Sequence, residues 1–309
     1  MSHSPALLRR VIEKAILPAA LSVAMLATGL VTAQDATGSK KETSGKEQAT
    51  QGAKVYSIGH SFHVFMPGIL TDIARAAEVK GHTHLGTSGI GGSRVIQHWD
   101  VADDKFKSKE LLTAGKVEVL TIAPIFLPDP GIENFATLAV EHNPNIRITL
   151  QENWLPYDAY TPPALKRPAA VDHNAIKIED LRKQQNEYLA SLTEHVDQLN
   201  KKFGKQVMVI VPVGQAAANL REKIVKGEVP GLKEQNDLFT DAIGHAKPVL
   251  MALVGYVHYG VTYQKSPVGL PAPAVLAKAP GTSPELVKLL QEIAWQAVTE
   301  CPASGVKGK

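Results

Sequence analysis

Residues 55–65, VYSIGHSFHVF, decide how the chain is to be read. The first four are a short run rich in β-branched and aromatic side chains, the composition of a buried strand. The segment directly after them, MPGILTDIARAAEV (66–79), places Ile69, Leu70, Ile73 and Ala77 at helical spacing. The junction between strand and helix raises a chemical question, because Ser61 stands between His60 and Phe62, with His63 close behind. Ser61 can be read as a nucleophile, the histidine pair as a metal site, or the whole stretch as a strand running into a turn.

Working outward, the strand-then-helix alternation continues. HTHLGTSGI (82–90), KVEVLTIAPIF (116–126), NIRITLQENW (145–154) and QVMVIVPV (206–213) read as four further strands. Helices are expected around residues 104–115, 131–142 and 177–204, the last closed by Gly204, and then over 214–227 and 248–264. A final helix begins at Ser283 as N-cap with Pro284 in the first turn. Trp295 on its apolar stripe reads as core. Proline-rich residues 155–175 read as a loop over the sheet edge. Alternation of this kind predicts an α/β fold: a three-layer α/β/α, flavodoxin-like, doubly wound parallel sheet of about five strands. Ligands of such sheets bind at the C-terminal ends of the strands, which directs attention to Ser61, Gly92, residues 124–126, residues 151–154 and Gly214.

Residues 1–33 carry Arg9, Arg10 and Lys14 ahead of the apolar run AILPAALSVAMLATGLVTA and end in small residues, the pattern of an export signal cut after Ala33. An uncleaved membrane anchor is the alternative, disfavoured by the short apolar core and by Pro18, since a span needs about 20 apolar residues. Residues 34–53 are polar and read as a disordered linker. Residues 54–271 are expected to form the main domain and residues 272–309 a helical extension. The formal charge of +3, part of it in the signal segment, argues against a nucleic-acid partner. The single Cys301 excludes an intrachain disulfide and reads as structural.

A serine nucleophile needs a base, most usefully a histidine oriented by a carboxylate. DLFTDAIGHAKP (237–248) offers Asp241 and His245 in a loop late in the chain; read on spacing alone, Asp241 caps a turn and His245 is a surface residue. Gly59 is expected to take the angles of a sharp turn, so that the following helix points N–H groups at an anion. His82 and His84 join His60 and His63 near one sheet edge, yet no carboxylate or cysteine spacing completes a metal site, and neither metal nor cofactor is expected.

The blocks SIGHSF (57–62), GIGGSRVIQHW (89–99), DAIGHA (241–246) and YQKSPVGLP (263–271), taken in order, resemble those of the SGNH hydrolase superfamily, the GDSL-like esterases. QENWLPY (151–157) and VPVGQAAANLRE (211–222) resemble a bacterial branch of it. The resemblance implies Ser61 as nucleophile, His245 as base and Asp241 as its orienting carboxylate. It implies the backbone N–H groups of Ser61 and Gly92 as oxyanion donors, with Gly91 the neighbour that competes for the second role. An asparagine is usual after the third strand; here TIAPIFLPDP (121–130) has none, so either Asn153 or Gln151 substitutes or the hole has backbone donors alone. The acid normally precedes the histidine by three residues, whereas Asp241 and His245 are four apart, which leaves Glu152 as another orienting group. His63, Arg94 and Trp154 are candidates for substrate contact, with Trp99, Tyr157 and Tyr160 nearby. The expected activity is an exported serine esterase acting on small acyl esters, O-acetyl groups on a polysaccharide by preference. The alternative is a silent domain of the same fold that binds glycan or another ligand.

Overall fold

A computed structural model describes residues 51–160 and 171–307. The expected signal segment and nearly all of the polar linker lie outside the described residues.

Five short strands form one all-parallel sheet: β1 (Lys54–Gly59), β2 (Thr83–Gly89), β3 (Val119–Ile122), β4 (Arg147–Gln151) and β5 (Met208–Val211), in the order β2-β1-β3-β4-β5. This is the flavodoxin-like strand order, and the chain reverses its direction of travel across the sheet between β1 and β3. The crevice at that reversal is where ligands of such sheets bind.

Nine α-helices connect and cover the strands among the described residues. α1 (Met66–Ala76), α2 (Val95–Trp99), α3 (Ser108–Thr113), α4 (Pro130–His142) and α5 (Ile178–Phe203) precede β5. α6 (Val213–Val225), α7 (Pro248–Tyr263), α8 (Ala274–Ala277) and α9 (Pro284–Glu300) follow it. The strand alternation sorts them. Tyr56, Ile58, Leu120, Ile122, Ile148, Leu150, Met208 and Ile210 point to one face, where α2 to α5 cover them in one apolar core. Val209 and Val211 point to the other face, into a core built with α1, α6, α7 and α9.

That second face is not wholly apolar. Ser57, Thr121, Thr149 and Gln151 occupy the alternate positions of β1, β3 and β4 and are 0 to 2% exposed, a polar stripe running across the sheet. The C-terminal segment, expected as an extension, carries α9. Its Leu286, Leu290, Ile293, Ala294, Ala297 and Val298 are part of the same core as α7, with Trp295 packed against it. Ser283 caps α9 by accepting from Leu286 N–H at 3.2 Å.

Two local expectations differ from the structure. α2 forms within the glycine-serine block after β2, where no element is expected; five residues are too few for a periodicity to register. The helix expected over 104–115 is confined to Ser108–Thr113.

Candidate active site

The chain leaves β1 at Gly59, whose backbone angles are unexceptional. It is space that requires glycine there: an added Cβ would lie 2.9 Å from His63 Cδ2 and 3.1 Å from Ala123 Cβ. Residues 60–65 then wind into a tight turn. His63 and Val64 N–H donate to the His60 carbonyl at 2.8 and 3.0 Å, and Met66 N–H donates to the His63 carbonyl at 2.8 Å. Ser61 rides on the outside of this turn, half-buried.

Asp241 and His245 arrive from some 180 residues further along. Thr240 N–H donates to the His245 carbonyl at 2.8 Å, closing a small loop whose interior is the Asp241 carboxylate. Asp241 Oδ1 accepts from the N–H groups of Ile243, Gly244 and His245, each at 3.1 Å. Asp241 Oδ2 takes the remaining contact, 2.6 Å from His245 Nδ1. His245 Nε2 then lies 2.8 Å from Ser61 Oγ. Because the carboxylate can only accept, the ring carries its proton on Nδ1 and leaves Nε2 as the acceptor of the serine hydroxyl. Burial opposes ionisation of Asp241, but the His245 ring and the backbone donors outweigh it and hold the carboxyl below its ordinary range. The four-residue interval thus closes a carboxylate-centred turn rather than displacing the acid.

Phe62 sets the tilt of the imidazole. Its ring meets His245 edge-on at 5.4 Å and stacks on Trp154 at 4.4 Å with planes 7° apart. Trp154 is 3% exposed and donates Nε1–H to the Gly244 carbonyl at 2.8 Å. This bond ties it to the loop that carries His245. It also lines a small recess with His60, Ile125, Phe126, Tyr160 and Tyr188.

Opposite the serine, the loop after β2 is tied to β1 by Ile90 N–H donating to the Gly59 carbonyl at 3.2 Å. Gly92 has φ +63, a left-handed conformation that favours glycine, and an added Cβ there would meet nothing within 4 Å. Asp129, fully buried, anchors the loop's far end by accepting from Val95 and Ile96 N–H at 2.7 and 3.0 Å and from Gly131 N–H at 3.0 Å.

Several expected contacts fall elsewhere. Arg94 donates to the Pro128 carbonyl and lies 3.6 Å from Asp129, so its guanidinium fastens the loop. His63 is fully buried beneath the turn: Nδ1 donates to Gln151 Oε1 at 2.8 Å, and burial lowers its pKa to about 4. Asn153 directs its amide hydrogens to the carbonyls of Pro124, at 2.6 Å, and Gln151, at 3.4 Å, which occupies the donors an oxyanion would need. Glu152 faces Gln185 and Gln215, away from His245, and burial raises it to about 8. Trp99 packs edge-on to Phe135 at 5.0 Å, and Cys301 is a buried thiol. His82 bonds Thr71 and Tyr263 and His84 bonds Thr87, apart from the opening motif. Among the described residues no three histidine, cysteine or acidic side chains are placed to hold a metal ion.

Two groups of supporting contacts escape a reading of the sequence, in which Gln151 and His63 stand out but what each bonds to does not. Gln151 Oε1 accepts from both His63 and His258, the latter also at 2.8 Å, while its amide donates to the Phe62 carbonyl at 3.0 Å and to Asn153 Oδ1 at 2.5 Å. The second group is Asp158, His173 and Arg221, all buried. Arg221 does leave a trace, since it falls on the apolar stripe of α6 between Ala217 and Ile224, where an unpaired charge would be costly.

No protein-family model matches the chain, and no curated protein matches it. Among solved structures, the chain is similar to a DUF4886 family protein from Bacteroides uniformis: TM-score 0.53, 15% identity, 80% of this chain and 95% of that one. At that identity the likeness speaks for the fold. An extracellular lipase from Streptomyces rimosus aligns with TM-score 0.28 and 10% identity over 52% of this chain and 80% of that one.

Proposed function

We propose that the protein is a serine ester hydrolase with Ser61 as nucleophile, His245 as general base and Asp241 as the orienting carboxylate, on an SGNH-like scaffold. The observation that carries this reading is the continuous hydrogen-bonded chain from Ser61 Oγ through His245 to Asp241, 2.8 and 2.6 Å, made by residues from opposite ends of the domain.

The steps follow from the donors and acceptors. His245 Nε2 takes the Ser61 proton as Oγ bonds to the ester carbonyl carbon. The negative charge that develops on the carbonyl oxygen is held by the N–H groups of Ser61 and Gly92. The imidazolium, stabilised by Asp241, then gives its proton to the departing alcohol oxygen, leaving an acyl-serine. Water repeats the sequence, with His245 taking its proton and returning it to Ser61 Oγ as the acid leaves.

The substrate class we favour is a small acyl ester, such as an O-acetyl group, carried on a larger alcohol such as a carbohydrate. The base loop is open, with the His245 side chain 34% exposed, and Val64 beside the nucleophile presents an apolar surface 41% exposed. Both features suit a short acyl group whose alcohol part stays in solvent. Export through residues 1–33 would bring the enzyme to extracytoplasmic polysaccharide. The committed Asn153 amide favours a second reading, a binding domain with too weak an oxyanion hole to turn over, because losing one donor costs about a hundred- to thousandfold in rate.

Hydrolysis of p-nitrophenyl acetate by the wild type, Ser61→Ala and His245→Ala separates the two. The esterase reading expects kcat to fall at least about 10³-fold in either variant. A wild type no faster than its variants, together with retained glycan binding, would favour the silent domain.

A further inference from the structure

The segment that follows β4 holds the acid-base loop from behind. Three carbonyls of that loop each accept one hydrogen bond from it: Gly244 from Trp154 Nε1 at 2.8 Å, Ile243 from Tyr157 N–H at 3.0 Å, and Asp241 from His173 Nε2 at 3.0 Å. Tyr157 and Asp158 both have left-handed backbone angles, φ +56 and +54, which cost a non-glycine residue energy that the surroundings must supply.

The surroundings here are ionic. Arg221 grips the Asp158 carboxylate with both terminal nitrogens, at 2.5 and 2.9 Å, and donates to the His173 carbonyl at 3.0 Å and to Gln235 Oε1 at 2.7 Å. His173 Nδ1 lies 2.9 Å from Asp158 Oδ2. Both partners of the imidazole, a carboxylate at Nδ1 and a main-chain carbonyl at Nε2, can only accept. A neutral imidazole has one N–H and satisfies one of them; only the imidazolium satisfies both.

We infer that His173 is a positioning residue for the proposed triad, whose imidazolium ties the main chain of Asp241 to the Asp158–Arg221 pair and releases it on losing a proton. With one proton gone, the one that remains stays on Nδ1, donated to the carboxylate as the stronger acceptor, and the Asp241 carbonyl keeps only the Gly244 N–H of its own loop, at 3.1 Å. Of the three bonds from this segment to the acid-base loop, those of Trp154 and Tyr157 then remain. Asp158 and Arg221 face the ring, Phe239 packs against it at 4.2 Å with the planes tilted by 43°, and Asp172 precedes it in the chain. Burial pulls His173 toward the neutral form, but the bonds to Asp158 and Asp241 outweigh it and hold the group above the ordinary histidine value. The proton is therefore held to higher pH than on an ordinary histidine and is lost as pH rises through the raised value.

The kinetic consequence rests on the esterase reading; the structural one does not. In the full-length Ser61→Ala protein with ¹⁵N-labelled histidine, His173 should carry protons on both ring nitrogens at pH 7, and its titration should reappear as an inflection in the His245 resonances. Asp158→Asn should move that inflection to lower pH. A His173 that is neutral at pH 7, or one whose titration leaves His245 untouched, overturns the inference. In the wild type, kcat for p-nitrophenyl acetate should fall on the alkaline side with KM unchanged. In His173→Gln the alkaline fall should vanish and kcat should drop about tenfold at pH 7. An alkaline limb identical in the two proteins also overturns it. If Ser61→Ala hydrolyses the ester as fast as the wild type, the esterase reading fails, and the histidine resonances alone decide the inference.

Discussion

The two halves of the site are held by opposite chemistries. The nucleophile turn sits on neutral groups: His60, His63 and His258 are buried, burial lowers all three, and the first two fall to about 3 and 4. Gln151 gathers His63 and His258 on one oxygen and pins the Phe62 carbonyl with its amide. The acid-base loop sits on charges, with Arg221, Asp158 and His173 linked to the Asp241 main chain. The difference teaches that the site is bounded from both sides of neutrality. Acid attacks the turn, because its histidines must be neutral, and alkali loosens the loop, because His173 must be charged.

The largest break in that comparison comes from Arg221→Met. It leaves the Asp158 carboxylate buried with one ring as its partner, and uncovering a buried charge costs about 3–5 kcal/mol. Urea unfolding should show the loss, and the acid-base loop should lose protection from hydrogen exchange before the nucleophile turn does.

Gln151→Leu tests the other half. Two imidazole N–H groups, the Phe62 carbonyl and Asn153 Oδ1 lose this partner, and the neutral side chains around them can re-pair in part, so the expected loss is about 1–3 kcal/mol. Here the turn should loosen first. Equal loosening of both regions in the two variants would erase the distinction drawn above.

Acidification then acts on the turn without mutation. The folded pKa of His63, about 4, lies below the unfolded value of 6.5, so the unfolded chain binds more protons between them. Its contribution is complete above about pH 6.5 and is lost as pH falls toward 4, at up to about 1.4 kcal/mol per pH unit. His63→Gln should flatten the stability profile in that window while leaving the alkaline behaviour of His173 in place.

The smallest expected effect is at the brace between the halves. Trp154→Phe keeps a ring on Phe62 and removes the Nε1–H bond to Gly244, a loss of about 1 kcal/mol. A change in kcat larger than that in stability would mean that the tilt of His245 depends on this bond.

The sheet is legible in the sequence because parallel strands are buried on both faces. Runs such as Val119–Ile122 and Met208–Val211 are continuously apolar or nearly so, and each is followed by a helical period. α2 is not legible, being a single turn that Asp129 caps from another helix. Ser61, Asp241 and His245 could be picked out only by their order among recognisable blocks, since local spacing equally suited a turn cap and a surface histidine. The supporting residues left weaker marks. Asp158 and His173 lie in a proline-rich stretch that reads as a loop over the sheet edge, and nothing local to either indicates that α6 will bring Arg221 to them.

Hydrophobic periodicity by itself determined the α/β alternation and the strand ends at which chemistry would lie, because burial on a regular element repeats at intervals visible along one chain. Which groups meet there was decided only by the tertiary structure. The Asn153 amide turned to Pro124, Arg94 turned to the loop it fastens, and the Asp158 and Asp241 oxygens set on either side of one imidazole are contacts between segments distant in the chain. Hydrogen bonds of this kind depend on direction to within a fraction of an ångström, and no pattern of residue types along the sequence carries that direction.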